Sequence, residues 1–149
     1  MSDPQEIEAT AIRLLTTREH SRKELLGKLT NRGFDCEQVE TVLDALALQG
    51  LQSDTRFTEQ YIEGRVRKGS GPVRIRAELR ERGVDDNQID TCLEPYAELW
   101  MERLRRVHEQ KYGASAIGDR KELARQARFL EYRGFPTDLI AKFLFHSDS

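Results

Sequence analysis

The residues best suited to binding chemistry form a basic cluster near the middle of the chain. Five cations flank a glycine-rich turn at residues 69–71: Arg65, Arg67, Lys68, Arg74 and Arg76. Arg74 and Arg76 fall in the first turns of the helix predicted after Gly71, where the helix dipole disfavours positive charge. Backbone N–H groups at Gly71 could add to an anion site. The pattern indicates a surface for DNA phosphates or acidic protein side chains, with a solvated basic face as the alternative.

Other residues capable of chemistry are scattered. The three histidines share no metal-ligand spacing with each other or with a cysteine: His20, His108 and His146. Carboxylate pairs such as Glu59 and Glu63 are typical of solvated helix faces. The turn at 69–71 is glycine-rich, but it lacks the lysine of a P-loop and follows no predicted strand. The sequence therefore predicts no enzyme, no metal and no cofactor.

Charge alternates along the chain. The formal net charge is −2, yet residues 65–82 carry seven basic and two acidic groups, and residues 83–97 carry four acidic groups and no basic one. A second basic segment runs from Arg103 to Arg128. Such alternation favours a shaped electrostatic surface over a uniformly basic nucleic-acid binder.

The cysteines, the N-terminal sequence and the lengths of the apolar runs indicate the cellular compartment in which the protein is expected. Cys36 and Cys92 are isolated, which favours two free thiols in a reducing environment. The N-terminus lacks a basic and then apolar order, and no apolar run approaches the ~20 residues needed to span a bilayer. We therefore expect a cytoplasmic protein with no membrane contact.

The chain contains an internal repeat. An offset of fifty residues aligns 21–43 with 71–93, and seven pairs are identical: Leu29/Leu79, Arg32/Arg82, Gly33/Gly83, Asp35/Asp85, Gln38/Gln88, Thr41/Thr91 and Leu43/Leu93. A further shift of fifty-one brings Leu130, Gly134 and Phe135 into register. Self-similarity at a fixed period is typical of repeat architectures.

The repeated residues have local structural roles. Gly33 is placed to end a helix in the left-handed conformation. Asp35 then caps the next helix, with Gln38 as its predicted capping-box partner. Phe34 and Val39 form a predicted hydrophobic staple, so we expect Phe34 and its counterpart Val84 to be largely buried. Copy three has Pro136 at the cap position, so its helix entry is expected to differ.

Each copy also has a helix ahead of this pair, and strand signals are weak throughout. Helix start signals occur at Ser21-x-x-Glu24, Gly71-Pro72 and Asp119-x-x-Glu122. The sequence therefore predicts an all-α protein of nine helices in three tandem three-helix repeats, at residues 1–50, 51–96 and 97–149. Hydrophobic residues make up 38% and charged residues 34% of the chain, which favours an elongated, modular arrangement over one compact globule.

The central segment resembles a known family. Its matching residues follow the order D-x-x-F-x-x-x-Y, a basic stretch, then G-x-G-P-x-R-I-x-x-E-L-x-x-R-G: Asp54, Phe57, Tyr61, Gly69, Gly71, Pro72, Arg74, Ile75, Glu78, Leu79, Arg82 and Gly83. This order resembles the central motif of the RecX family, and flanking segments extend the resemblance over residues 6–146. Ser70 departs from it, since relatives often place an aromatic residue there.

The resemblance implies three tandem three-helix repeats and a regulator that binds the RecA recombinase and its DNA filament. It implies suppression of ATP hydrolysis and strand exchange in homologous recombination and the SOS response, with direct binding of single- or double-stranded DNA left open. The alternative is a sequence-specific duplex DNA reader of helix-turn-helix type. The acidic starts of the second helices, at Asp35 and Asp85, are poorly suited to a phosphate-lined groove. An enzyme of nucleic-acid metabolism lacks candidate residues.

Overall fold

The structure is a computed structural model that describes residues 2–114 and 118–145. Within these ranges it contains nine α-helices and no strand, which confirms the predicted fold class. The helices are α1 (Pro4–Thr17), α2 (Arg22–Asn31), α3 (Cys36–Leu48), α4 (Asp54–Arg67), α5 (Pro72–Glu81), α6 (Asp86–Leu93), α7 (Trp100–Tyr112), α8 (Arg120–Arg133) and α9 (Thr137–Phe145). A short 3₁₀ turn, Glu94–Tyr96, follows α6.

The chain forms two compact units. The first comprises Met1–Tyr61 with Leu79–Ile89, and the second comprises Ile62–Glu78 with Asp90–Ser149. The repeat boundaries expected at 50/51 and 96/97, and the elongated shape, stay predictions.

The first unit has its core between α1, α2 and α3. Eight buried side chains form it: Ile7, Ala11, Leu25, Leu29, Val39, Val42, Leu43 and Leu46. They recur at helical spacing, so each helix turns one apolar stripe inward. Burying one large aliphatic side chain contributes roughly 1.5–3 kcal/mol, whereas a helix cap contributes about 1 kcal/mol. Packing therefore dominates the stability of this unit, and the caps fix where its helices begin.

The caps of the first unit agree only in part with prediction. Ser21 and Glu24 form the predicted reciprocal capping box at the start of α2. Asp35 caps α3 by accepting from the Gln38 N–H. The predicted return contact is wrong, because the Gln38 side chain accepts from the Ser2 N–H and the Asp35 N–H donates to the Ser2 hydroxyl. Ser2, which is distant in sequence but close in space, thus replaces the capping-box contact between Gln38 and Asp35.

The core of the second unit lies where α7, α8 and α9 meet. Its buried members are Leu104, Val107, Leu130, Phe135 and Ile140. Trp100, whose packing the sequence leaves open, lies partly buried against this cluster and stacks on Tyr96 with 5.9 Å between ring centroids. The aromatic residues Phe135 and Trp100 therefore serve packing.

One type of helix-ending turn follows α2, α3, α4, α5 and α8, and the copies after α2, α5 and α8 lie at equivalent positions of the repeat. Gly33, Gly83 and Gly134 adopt φ of 96°, 84° and 103°, which confirms the predicted left-handed glycines. The N–H of the apolar residue that follows each glycine donates to a carbonyl five residues earlier, as in Phe34 to Leu29 at 3.3 Å. This bond is the signature of a Schellman motif.

Burial of the apolar residue after each glycine differs among the copies. Val84 and Phe135 are buried as expected, but Phe34 is only partly buried at the edge of its core. Val73 is 55% exposed, in contrast to the buried Ile75 and Leu79 of the same helix. It lies in the first turn of α5, ahead of the inward-facing stripe.

Candidate functional site

The basic cluster lies in the second unit, at the turn from α4 to α5. α4 ends with Arg65 and Arg67, and Gly69 then turns the chain at φ 94°. The Ser70 N–H donates to the Arg65 carbonyl at 2.9 Å, and the Arg133 guanidinium donates to the Lys68 carbonyl at 2.8 Å. The carbonyl end of α4 is thus neutralised by a cation from α8, in agreement with its helix dipole.

Gly71 is the point of closest backbone contact in this turn. Its N–H donates to the Arg133 carbonyl at 2.8 Å, and the Val73 N–H donates to the Gly134 carbonyl at 2.9 Å. A Cβ at Gly71 would lie 2.5 Å from the Gly134 carbonyl group, so no other residue fits without backbone movement. The expectation that the Gly71 amide serves an external anion is wrong, because a carbonyl of the same unit occupies it.

Arg65 and Arg74 converge on one carboxylate. Arg65 Nε lies 3.1 Å from Glu78 Oε1, and Arg74 Nε lies 3.4 Å from Oε2 of the same group. All three side chains are 21–33% exposed. Glu78 thus balances one of two cations and leaves a net positive charge at this point of the surface.

The other three cations differ in accessibility. Arg76 forms an ion pair of 2.6 Å with Asp90. Arg67 lies 3.6 Å from Glu63, and both side chains are about 70% exposed. Lys68 is exposed at the end of α4. Internal carboxylates therefore explain Arg74 and Arg76 at a helix start, and Arg67 and Lys68 are the accessible members of the cluster.

Tyr132 of α8 is a neighbour of the cluster that the sequence did not suggest. The Arg74 guanidinium lies 5.2 Å from the centroid of its ring, in a cation–π contact, and the residue is 72% exposed. The Arg74–Glu78 spacing of four was a visible signal for that ion pair. The sequence held no comparable signal for Tyr132, which is 58 positions from Arg74.

Two of the histidines are structural. His20 Nδ1 lies 3.1 Å from the Arg18 carbonyl and Nε2 lies 2.8 Å from Lys28 Nζ, which a neutral ring with its proton on Nδ1 satisfies. Burial lowers the pKa of His20, a shift that the Arg18 carbonyl partly opposes and the nearby cations reinforce. His108 is buried and bonds Gln126 at 2.7 Å. His146 lies outside the described residues.

The described residues offer no metal-binding constellation: no group of three or more histidine, cysteine or acidic side chains is arranged to hold an ion. Cys36 is exposed, Cys92 is buried, and neither forms a disulfide. No helix within 2–114 and 118–145 has the length and apolar character to cross a membrane.

Three tandem three-helix domains define the class as an all-helical repeat protein. Family models described as the first, second and third three-helix domains of RecX match residues 9–46, 53–93 and 98–144. The chain therefore belongs to the RecX family.

Relatives from several bacteria agree. The chain is 48% identical over 130 residues to the regulatory protein RecX of Halorhodospira halophila, covering 87% of this chain and 81% of the relative. It is 41% identical over 144 residues to that of Pseudomonas syringae, covering 97% and 93%. These relatives carry the name of a regulatory protein rather than of an enzyme, which supports a regulatory role.

Solved structures show the same fold. The crystal structure of RecX from Lactobacillus salivarius superposes with a TM-score of 0.81 at 22% identity, covering 97% of this chain and 96% of the other. A second crystal structure, of a regulatory protein RecX, gives a TM-score of 0.84 at 19% identity and covers 97% and 73%. The arrangement of helices is thus shared at low sequence identity.

Proposed function

We propose that this chain binds the RecA recombinase and its DNA filament and inhibits ATP hydrolysis and strand exchange. The observation that carries the proposal is the match of all three RecX domains, in order, along the chain. The chain acts in the cytoplasm, since the exposed thiol of Cys36 suits a reducing compartment. The proposal assigns no catalytic step to any residue.

The basic cluster (Arg65, Arg67, Lys68, Arg74 and Arg76) is the proposed contact surface for the filament. Arg67 and Lys68 make the direct contacts with the filament, because their side chains are exposed. The ion pair between Arg67 and Glu63, at 3.6 Å, is long and holds Arg67 only weakly. Arg65, Arg74 and Arg76 are held against Glu78 and Asp90 and supply a fixed positive potential. A filament rich in phosphate and carboxylate groups complements that charge.

The direct test is the rate of ATP hydrolysis by RecA on single-stranded DNA with increasing amounts of the chain. We expect inhibition by the wild type, and a loss of apparent affinity of at least about tenfold for Arg67→Glu combined with Lys68→Glu. The matched control is Arg13→Glu combined with Lys142→Glu, which makes the same charge change at exposed sites outside the cluster.

Two results would contradict parts of the proposal. A wild-type chain that neither binds the recombinase nor slows its ATPase would overturn the function. Equal inhibition by both double variants would remove the basic cluster as the contact surface while leaving the function in place. Selection on random duplexes separates the duplex reader, because only that class enriches one sequence.

A further inference from the structure

The exposed face of α8 combines cations and an aromatic ring in one line. Lys121, Arg125, Arg128 and Tyr132 are all exposed and are spaced by four, three and four residues. At roughly 100° per residue they fall within a strip about 60° wide on the helix surface. We call these four residues the α8 strip. From Lys121 to Tyr132 it extends about 16 Å along the helix axis.

Tyr132 is held in place at one end of this strip. Hydrogen bonds from the Gly71 and Val73 N–H groups to the Arg133 and Gly134 carbonyls fix the start of α5 against the end of α8. A Cβ at Gly134 would lie 2.3 Å from Arg74 Cβ, so the two backbones are as close as glycine allows. Arg74 consequently lies over the Tyr132 ring. One face of the ring is supported by a guanidinium, and the residue still exposes 72% of its surface.

We infer that the α8 strip binds single-stranded DNA, with one base stacked on the open face of Tyr132 and the backbone phosphates along Arg128, Arg125 and Lys121. A positively charged track ending in an aromatic ring is the arrangement by which proteins bind single strands without sequence preference. The inference goes beyond the proposed function in two respects. The α8 strip lies on a different helix from Arg67 and Lys68, the exposed members of the basic cluster, and it binds DNA without the recombinase.

The exposed ring of Tyr132 favours a single strand over a duplex. In a duplex the faces of the bases are stacked on each other, so Tyr132 would have no base face to contact. Arginine and tyrosine are also common at protein interfaces, so binding of an oligonucleotide to the chain alone is the measurement that separates a single strand from a protein partner. Arg125 keeps 63% of its side chain exposed despite its ion pair with Glu122. Glu131 lies at the margin of the strip and is its one flanking carboxylate on the last turn.

Binding of a fluorescent oligothymidylate to the chain alone, measured by anisotropy at low salt, tests the inference. Tyr132→Ala should weaken binding at least about fivefold, and Tyr132→Phe should bind like the wild type, because stacking needs only the ring. Phe145→Ala removes another exposed aromatic residue of the second unit and should change nothing. Arg128→Glu should weaken binding and flatten its salt dependence, whereas Arg13→Glu, with the same change in net charge, should do so far less.

Cross-linking locates the contact independently of affinity. Irradiation of an oligonucleotide carrying 5-iodouracil should attach it to Tyr132 or to a neighbouring residue of the α8 strip. Wild-type affinity in both Tyr132→Ala and Arg128→Glu, or cross-links confined to other helices, would overturn the inference. Loss of recombinase inhibition in these variants with unchanged oligonucleotide binding would also overturn it, since the strip would then be a protein contact. Failure of the proposed function is scored separately, by the ATPase assay.

Discussion

Arg65 at the end of α4 and Arg74 at the start of α5 donate to the same oxygen of the Glu78 carboxylate, Oε2, at 3.2 and 3.4 Å. One anion thus joins two consecutive helices across the glycine-rich turn and sets the spacing of the two cations. The partly buried location matters, because ion pairs at 21–33% exposure are less screened than those on the open surface.

The first prediction concerns this shared carboxylate. Glu78→Gln should lower the free energy of unfolding by about 1–3 kcal/mol, since it removes the negative charge that accepts from two guanidinium groups and leaves two cations close together. Urea denaturation followed by circular dichroism measures the change. Glu63→Gln, which breaks only the exposed pair with Arg67, is the control and should cost below about 0.5 kcal/mol. Equal losses in the two variants would show that Glu78 does not join the helices.

The second prediction concerns Gly71. Gly71→Ala should destabilise the protein by about 1–3 kcal/mol or more, because the added Cβ would meet the backbone of Gly134 and Phe135 at 2.5–2.7 Å. Gly64→Ala, within α4, meets no atom within 4 Å and should instead stabilise by about 0.5–1 kcal/mol. Thermal melting distinguishes the two signs. A neutral Gly71→Ala would mean that α5 can move away from α8 at little cost.

The third prediction compares the residues that follow the helix-ending glycines. Phe135→Ala should cost about 3–5 kcal/mol, because the ring is 1% exposed in the core of the second unit. Phe34→Ala should cost less, since its side chain lies partly buried at the edge of its core. Urea titrations of both variants measure the difference. The reverse order would place Phe34 deeper in the fold than the structure does.

The fourth prediction concerns acid stability. Burial lowers the pKa of His20 below its ordinary value of 6.5, so the folded state favours the neutral ring. The unfolded chain then binds the proton more readily, and stability should fall as the pH drops from about 6.5 toward the folded pKa. Urea midpoints between pH 7.5 and 5 should show this slope.

The matched variant for that slope is His20→Asn, which keeps a polar side chain beside Lys28 and does not titrate. It should flatten the His20 component of the pH dependence. Burial raises the pKa of the Glu24 carboxyl, but the contacts with Arg18 and Ser21 outweigh this effect and lower the pKa overall. The stability that Glu24 contributes is therefore lost only at a more acidic pH. A slope unchanged by His20→Asn between pH 7.5 and 5 would assign the acid response to other groups.

Much of this protein follows from residues close together in sequence. Ser21 with Glu24, Asp119 with the Glu122 N–H, and glycines such as Gly33 specify where helices begin and end, because each acts through bonds within about five residues. The apolar stripes at helical spacing likewise predicted the buried positions Leu29 and Leu79. The repeat and the all-helical fold could therefore be predicted from the sequence alone.

Only the tertiary structure decided which groups of the basic cluster are paired within the protein and which are exposed. Lys68 and Arg133 are 65 residues apart, and nothing local indicates that the carbonyls of α8 would occupy the Gly71 and Val73 amides. Packing of α5 against α8 also brings Tyr132 beneath Arg74. In the first unit, packing likewise brings the Ser2 N–H to the Gln38 side chain, which accepts its hydrogen bond. Polar groups take the partner that packing brings closest, because an unpaired group away from water costs about 1–3 kcal/mol. Residue types and spacing determined which groups could bind, and the packing of distant helices determined which of them stayed exposed.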